Sequence, residues 1–394
     1  MPNVFENINI RIASSLRDVN PDLWNACAGQ QNPFIQYNFL SALEDSGSAS
    51  AETGWAGQHL IIESANHEKY LGIAPVYLKS HSYGEYVFDW GWADAYERAG
   101  GKYFPKLLCG VPFTPVTGPR LIVSPSIEDH KDYIRATLID AMIQIAEQLD
   151  LSSIHVNFLE KEEWKSIDEK GFLQRQGQQF HWENKGYKNF GDFLTDLSSR
   201  KRKNIRKERS KVEVDGLNIR TLTGNDITEA HWDVFYDFYR NTSDRKWGYA
   251  YLNRNFFSLL GERCKDNVIL IYAEMNGSPI AGALNLAGAD CLFGRNWGSN
   301  ENFKFLHFEA CYYRAIDYAI ANDLKRVEAG AQGPHKIQRG YLPSPTYSAH
   351  WIKNQSFRRA VAHFLEEERL GIKAEMNFNS AHSPFRKSPN ILRQ

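Results

Sequence analysis

Along the first half of the chain, the spacing of apolar residues alternates several times between a helix-like and a strand-like period. Apolar residues three or four apart favour an amphipathic helix, and short apolar runs between turn residues favour strands. The predicted elements are helices within 21–47, a hairpin of strands at 59–64 and 71–77, a strand at 85–92, a helix at 134–149 and a strand at 153–158. The Gly- and Pro-rich region 99–118 cannot form a regular helix.

The second half repeats this order after a basic segment. The predicted elements are helices at 231–239 and 256–264, a hairpin at 268–274 and 280–287, a strand at 291–297, a helix at 308–321, and strands at 325–329 and 347–352. Helices, antiparallel strands, a helix and a strand in this order predict an α+β fold with mixed, mainly antiparallel sheets flanked by helices.

A short aromatic motif occurs twice. V-F-D-W-G-W-A-D begins at Val87 and L-F-G-R-N-W-G-S-N begins at Leu292. Phe88 and Trp92 have the same spacing as Phe293 and Trp297, so we expect two copies of one α/β unit that superpose with Trp92 over Trp297. A functional site is then expected in both copies or in the cleft between them.

Composition excludes several functional classes. The formal net charge of -1 over 394 residues gives no global field towards nucleic acid or anionic lipid. Five scattered cysteines without a C-x-x-C pair favour reduced thiols in a cytoplasmic protein. The first fifteen residues do not resemble a signal peptide, and no apolar run reaches the ~20 residues of a transmembrane helix. Histidines and cysteines lack ligand spacing, so no metal is expected.

The densest charge lies in the basic segment 198–209. On a helix beginning at Ser198 or Ser199, Arg202, Arg206 and Arg209 share one face, and such a face suits several phosphates at once. The alternative is an ordinary solvated helix face, and the sequence favours neither interpretation.

A second candidate site follows the predicted strand 325–329. Glu328 lies on this apolar strand, and a loop of small residues after it carries further polar groups, namely Gln332, His335, Lys336 and Arg339. Burial would raise the pKa of Glu328 towards neutrality, which is what a general base needs. The alternative is a surface loop with a carboxylate at the edge of a sheet. If Glu328 is structural, His307 and Glu309 are the next candidates for a base.

A third candidate site precedes the helix 308–321. Its polar and aromatic residues are Arg295, Asn296, Trp297 and Lys304, and the corresponding residues of the first copy are Asp89, Trp92 and Lys106. A helix N-terminus can hold an anion, so the lysines are better candidates than the tryptophans, which more often belong to a core.

Longer motifs resemble the Fem-type peptidoglycan aminoacyltransferases, a bacterial family built from two tandem acetyltransferase-like (GNAT-like) domains. They are L-S-S-R-K-R-K-N-I-R-K from Leu197, F-Y-D-F-Y-R-N-T from Phe235, W-G-S-N from Trp297, V-P-F-T-P-V-T-G-P-R from Val111, and E-A-G-A-Q-G-P-H-K from Glu328. The resemblance implies a GNAT-like domain at 1–185, a basic helix and linker at 186–230, a second GNAT-like domain at 231–380 and a polar tail at 381–394. It places Lys304 at a cationic position near the acyl donor.

The resemblance implies an N-acyltransferase that moves an acyl or aminoacyl group to an amine, with a cell-wall precursor or another small molecule as acceptor. Arg98–Gly101 matches only part of the glycine-rich loop that binds acetyl-CoA in enzymes of this fold. The second half of the sequence also has no heptad repeat like the coiled-coil arm of tRNA-dependent Fem-type enzymes. Acyl-CoA and aminoacyl-tRNA therefore both stay open as donors. The resemblance leaves the oligomeric state open as well.

Within this reaction, Glu328 is expected to act as base, and His335 and Lys304 as donors near the carbonyl. Lys336, Arg339, Arg295 and Lys106 are expected to bind anionic groups. Two other functions fit the sequence: a non-catalytic protein that binds RNA or another anionic polymer through the basic segment, and an assembly partner that binds a peptide in an aromatic cleft.

Overall fold

The computed structural model describes residues 8–247, 250–331 and 333–386. The strands are β1 (Asn9–Ala13), β2 (Trp55–Gly57), β3 (His59–Glu63), β4 (Tyr70–Ala74), β5 (Val76–Lys79), β6 (Lys106–Cys109), β7 (Ile122–Val123), β8 (Ser153–Leu159), β9 (Leu173–Glu183), β10 (Leu217–Thr223), β11 (Val268–Met275), β12 (Ser278–Ala287), β13 (Cys291–Ser299), β14 (Arg326–Glu328) and β15 (Leu342–Ile352).

The α-helices are α1 (Pro21–Ala28), α2 (Tyr37–Asp45), α3 (Trp90–Arg98), α4 (Lys131–Gln148), α5 (Lys161–Ser166), α6 (Phe190–Asp196), α7 (Ser199–Ser210), α8 (Glu229–Trp247), α9 (Arg254–Arg263), α10 (Leu306–Phe308), α11 (Arg314–Ala321) and α12 (Gln355–Ala381). A π-helical turn, Glu309–Tyr313, joins α10 to α11, and a 3₁₀ turn spans Pro334–Arg339. None of the helices in the described ranges is long and apolar enough to cross a membrane.

The chain forms two compact units, and each combines segments that are distant in sequence. Unit 1 contains 1–177, 251–264 and 346–372, and unit 2 contains 178–250, 265–345 and 373–394. The sequence suggested domains that are continuous in the chain, with boundaries at 185, 230 and 380, whereas each unit combines three separate segments. The domain boundaries at those positions stay a prediction. The expected α+β architecture is confirmed.

Unit 1 contains two sheets. The first has the order β1-β3-β4-β7, and the second runs β2-β5-β6-β8-β15. Neighbours are antiparallel except β6 and β8, which are parallel. Apolar side chains of α4, including Leu138 and Met142, pack on one face of the second sheet against Leu107 and Ile154.

Unit 2 contains the strand order β10-β11-β12-β13-β14-β9. Here too one neighbouring pair is parallel, β13 with β14, and the others are antiparallel. Helix α11 packs its apolar face, including Ile316 and Ala319, into a core with Leu292 and Val327.

The two units share a strand pattern. In each, an antiparallel series leads to a parallel pair, β6 with β8 or β13 with β14, whose members are joined by a helix. An antiparallel strand then follows the pair, β15 in unit 1 and β9 in unit 2. Strand β6 is therefore the counterpart of β13, although no aromatic motif of the sequence marks it.

The expected superposition of Trp92 on Trp297 is wrong. Trp92 lies in helix α3, whereas Trp297 lies in strand β13. The predicted strand at 85–92 does not form either, because its charged residues point inward: Asp89 is 2% exposed while Phe88 is 53% exposed. The two aromatic motifs thus occupy unrelated elements.

The other predicted elements are confirmed, including both hairpins, the helix at 134–149 and the basic helix, which is α7. Ile205 anchors α7 in the core of unit 2. Ser198 occupies the N-cap position of α7, but its side chain makes no capping hydrogen bond. Strands β6 and β9 and the long helix α12 were not predicted.

Candidate functional site

The candidate active site of unit 2 lies where strands β13 and β14 separate. The two strands pair in parallel only from Cys291 with Arg326 to Phe293 with Glu328. Beyond Phe293, strand β13 continues beside β12, with Arg295 as the extra residue of a β-bulge, while β14 ends at Glu328. Bulges commonly redirect side chains next to active sites. Glu328 therefore lies where the pairing of β14 with β13 ends.

The Glu328 carboxyl group is buried but only partly satisfied. It is 3% exposed, and its Oε1 accepts a hydrogen bond of 3.2 Å from Arg326 Nε. Its Oε2 has no hydrogen-bond partner among the described residues and lies 3.9 Å from His181 Nε2. Burial raises the pKa of Glu328 to about 7, although the Arg326 charge opposes the shift. Burial also lowers the pKa of His181 to about 3, so this imidazole is neutral. The shift expected for Glu328 from the sequence is thus present.

The cations of the loop after β14 are engaged by the protein itself. Lys336 is buried, and its Nζ donates to the carbonyl oxygens of Ala329 and Gly330. Arg339 donates two 2.8 Å hydrogen bonds to Glu208 and stacks on Phe308. These contacts fold the loop back onto the strand end, so both residues are occupied in holding it. Gln332 lies outside the described residues.

His335 belongs to a cluster of rings beside the π-helical turn. Its Nε2 lies 2.9 Å from the hydroxyl of Tyr312, and the ring packs against His307 and Phe308. Burial and the nearby Arg339 charge lower the pKa of His335, so it is neutral near pH 7. Single π-turns inside helices frequently occur at functional sites. A neutral imidazole here can donate or accept a hydrogen bond.

The remaining unit 2 candidates lie on strand β13 and in the turn that follows it. Lys304 is exposed in the turn before α10, with its ammonium 5.3 Å from the Phe305 ring centroid. Trp297 is half-buried and packs edge-on against His307. Arg295 and Asn296 are half-buried on β13. Their assignment as anion and substrate ligands stays a prediction.

The structure separates the three arginines of the basic helix. Arg209 forms ion pairs with Glu309 at 3.0 Å and with Asp317 at 2.7 Å. Arg206 is exposed and Arg202 is half-buried. Because Arg209 already neutralises two carboxylates, the expected row of three available cations is reduced to Arg202 and Arg206. Glu309 also pairs with Arg314, which leaves it less suited than Glu328 to act as a base.

The unit 1 candidates do come together, in a buried polar network. Lys106 is fully buried, and its Nζ donates to Asp89 and, at 2.9 Å, to Glu85. Tyr103 donates a 2.7 Å hydrogen bond to Asp89, and its hydroxyl lies 3.4 Å from His155 Nε2.

The network continues through a pair of histidines. His155 Nδ1 lies 2.7 Å from Nδ1 of His350, and Trp92 packs against both rings. Burial lowers the pKa of His155 to about 3. Burial would raise the pKa of Asp89, but the Lys106 charge outweighs it and holds that pKa below its usual range. Burial raises the pKa of Glu85 to about 7.

Several residues of these sites were not identified from the sequence. They are Glu85, Tyr103, His155 and His350 in unit 1, and His181, Arg326 and Tyr312 in unit 2. A sequence signal for the histidines existed. Polar residues alternate with apolar ones along β8, and Ser348 and His350 alternate with apolar residues on β15 in the same way. The structure buries the polar residues of these alternating patterns as well as the apolar ones. A strand that buries both faces while one of them is polar indicates a buried network.

A protein-family model matches residues 15–387 of the chain. The family is FemAB-like, described as peptidoglycan biosynthesis/recognition. No protein of curated description matches the chain in sequence.

Solved structures show the same fold at low sequence identity. FemX matches with a TM-score of 0.55 and 11% identity, covering 90% of this chain and 100% of FemX. L-PGS from Bacillus licheniformis matches with a TM-score of 0.51 and 10% identity, covering 86% and 98%. The C-terminal domain of a lysylphosphatidylglycerol synthetase from Agrobacterium fabrum, itself of putative assignment, matches with 0.53 and 9%, covering 90% and 97%. The chain therefore belongs to the FemAB-like family and shares the fold of FemX.

Proposed function

We propose that this protein transfers an acyl or aminoacyl group to an amine of a cell-wall precursor or a related metabolite. The family match supports a role in peptidoglycan metabolism, and the fold is shared with FemX. The donor is an acyl-CoA or an aminoacyl-tRNA, and both contain an electrophilic carbonyl bonded to a leaving sulfur or oxygen.

One observation carries the proposal: Glu328 is a buried carboxyl group with one unpaired oxygen at the point where parallel strands separate. With its pKa raised by burial to about 7, Glu328 exchanges protons near neutral pH, and its ionised form can accept a proton. Arg326 orients the other carboxyl oxygen through its 3.2 Å hydrogen bond.

The reaction exchanges one bond to the carbonyl carbon for another. The amine nitrogen attacks that carbon and forms the amide bond, while Glu328 accepts the proton that the nitrogen loses. The bond to the donor's sulfur or oxygen then breaks, and the leaving group takes up the proton that Glu328 received, which restores the carboxylate. We assign His335, which Tyr312 holds at 2.9 Å, as the hydrogen-bond donor to the carbonyl oxygen.

The test is a transfer assay on the purified full chain. Acetyl-CoA is followed by release of its free thiol, and radiolabelled aminoacyl-tRNAs are followed by label transfer to a nucleotide-linked muropeptide. Glu328→Gln keeps the shape of the side chain but cannot accept a proton. We expect it to lower kcat by about 10²–10⁴-fold, the usual contribution of a general base.

Glu309→Gln is the matched control, because Glu309 is equally buried in unit 2 and also has one oxygen without a hydrogen-bond partner among the described residues, but it pairs with two arginines, Arg209 and Arg314. We expect its kcat to stay within a few-fold of wild type. Wild-type turnover in Glu328→Gln together with a large loss in Glu309→Gln would move the base to Glu309 and refute the proposed role.

A further inference from the structure

A second cavity in unit 2 lies between helix α8 and the ends of strands β12 and β13. It is open to solvent and has a volume of about 470 Å³, and it is lined by Val234, Asp237, Phe238, Arg240, Asn241, Pro279 and Asn300. This volume is within the range of small-ligand sites. The proposed reaction assigns no role to any of these residues.

The motif W-G-S-N, beginning at Trp297, builds one wall of this cavity. Gly298 faces the backbone of Phe238, and a Cβ at that position would collide with the Phe238 carbonyl group. The glycine therefore lets α8 lie directly on β13. Two residues further along the chain, Asn300 reaches the cavity itself. The packing of helix on strand thus requires a glycine here, and the same motif contributes a polar side chain.

The cavity is separate from the Glu328 site. Phe293 is the residue of β13 that pairs with Glu328, and Asn300 lies seven positions further along the chain. Since a strand advances about 3.3 Å per residue, the two sites are roughly 20 Å apart along β13. A small ligand in the cavity cannot contact Glu328.

The lining combines one acid, one base and an apolar floor. Asp237 and Arg240 are three residues apart on α8, so their side chains lie on neighbouring parts of one helix face. Both are exposed to solvent at the cavity. The side chains of Val234, Phe238 and Pro279 are apolar. Val234 and Pro279 are half-buried and supply most of the accessible apolar surface, whereas Phe238 is buried.

We propose that this cavity binds a free α-amino acid with an apolar side chain. Asp237 accepts hydrogen bonds from the ligand's ammonium, the Arg240 guanidinium donates to its carboxylate, and the apolar side chain rests on Val234, Phe238 and Pro279. A zwitterion matches an adjacent acid and base because each of its charges meets the opposite charge. The apolar floor selects against ligands with charged side chains.

Calorimetric titration of the full chain with three related probes tests the proposal. L-leucine carries both charges, N-acetyl-L-leucine lacks the ammonium, and L-leucinamide lacks the carboxylate. We expect leucine to bind at least about tenfold more tightly than either analogue, since one charge-assisted hydrogen bond is lost in each.

Single variants then assign each charge to its partner. Arg240→Ala is expected to weaken leucine binding about tenfold or more without changing leucinamide binding, and Asp237→Asn is expected to weaken leucine but not N-acetyl-leucine. Lys325→Ala is the control, because its exposed cation lies elsewhere in unit 2 and binding should be unchanged. Circular dichroism confirms that each variant is folded.

Glu328→Gln separates this proposal from the proposed reaction. We expect it to abolish most turnover yet leave leucine affinity unchanged, since the sites are far apart. Equal affinity of all three probes, or no measurable binding of leucine, would overturn the inference. Loss of leucine binding in Glu328→Gln would do the same, because it would place the amino acid at the catalytic carboxylate.

Discussion

Unit 1 and unit 2 both bury carboxyl groups beside a parallel strand pair, but they stabilise these groups differently. In unit 1, Lys106 begins strand β6 and binds both Glu85 and Asp89. In unit 2, Glu328 ends strand β14, and its one charged hydrogen bond among the described residues is with Arg326, whose side chain is 36% exposed. The same strand pattern thus supports two carboxyl groups around one fully buried cation in unit 1 and a single carboxyl group beside a partly exposed arginine in unit 2. In all three carboxyl groups, one oxygen has no hydrogen-bond partner among the described residues.

The difference separates stability from chemistry. A buried cation with two carboxylates is costly to break, because removing it leaves uncompensated buried charge. Burial raises the pKa of both Glu85 and Glu328 to about 7, a value that suits proton transfer, but only Glu328 lacks a fully buried cation beside it. We therefore expect the unit 1 cluster to be important for folding and the unit 2 carboxylate for turnover.

The largest effect on stability is expected at Lys106. Lys106→Met keeps most of the side-chain volume but leaves the buried Glu85 and Asp89 without their cation. We expect it to lower the free energy of unfolding by about 3–5 kcal/mol. Urea denaturation followed by circular dichroism measures this change.

Lys79 is the matched control for that experiment. Lys79 is also fully buried, and it lies opposite Lys106 in the register of the neighbouring strands β5 and β6. Its Nζ has no hydrogen-bond acceptor in the described part of the chain and lies 3.5 Å from the Trp55 ring centroid. Burial lowers the pKa of Lys79 to about 7. Lys79→Met should be neutral or stabilising. Equal losses in both variants would show that the carboxylates do not decide the cost.

A smaller effect is expected from the pH dependence of Glu328. The native pKa is about 7 and the unfolded value is 4.5. Between these values the native state holds a proton that the unfolded state has lost, so stability falls as the pH rises, by up to about 3 kcal/mol. Glu328→Gln removes this contribution.

The difference between wild type and Glu328→Gln should therefore grow in favour of the variant from pH 4.5 to 7. Urea titrations at several pH values measure it. The depressed pKa of Asp89 acts with the opposite sign, because its contribution is lost as the pH falls. A constant difference across the window would mean that Glu328 titrates normally in the native protein.

The smallest of these effects concerns the basic helix. Arg209→Ala removes one partner of the buried Glu309, and we expect a loss of about 1–2 kcal/mol in unfolding free energy. Arg206→Ala removes an exposed cation of the same helix and should change stability very little. If the two variants were equally stable, the Arg209 ion pairs would contribute nothing measurable.

Much of the secondary structure could be predicted because its signals are local. The turn at Asn276–Gly277 defines a hairpin, and apolar residues at helical spacing define α4. Alternation places Glu328 on the face of its strand opposite Val327, which lies in the core of unit 2. The turn, the helix and this alternation need only neighbouring residues for their explanation. That the second face of the strand is also buried, which raises the pKa of Glu328, depends on tertiary packing.

The sequence by itself determined the α+β class, the hairpins, the basic helix and the strand that carries Glu328. Only the tertiary structure decided which charges are engaged. Lys106 draws Asp89 inward and leaves Phe88 exposed, so the apolar pattern at 85–92 misled the prediction. Arg339 and Arg209 find Glu208, Glu309 and Asp317 at long sequence separation. The physical reason is that periodicity records local preference, whereas the pairing of buried charges depends on which distant segments meet.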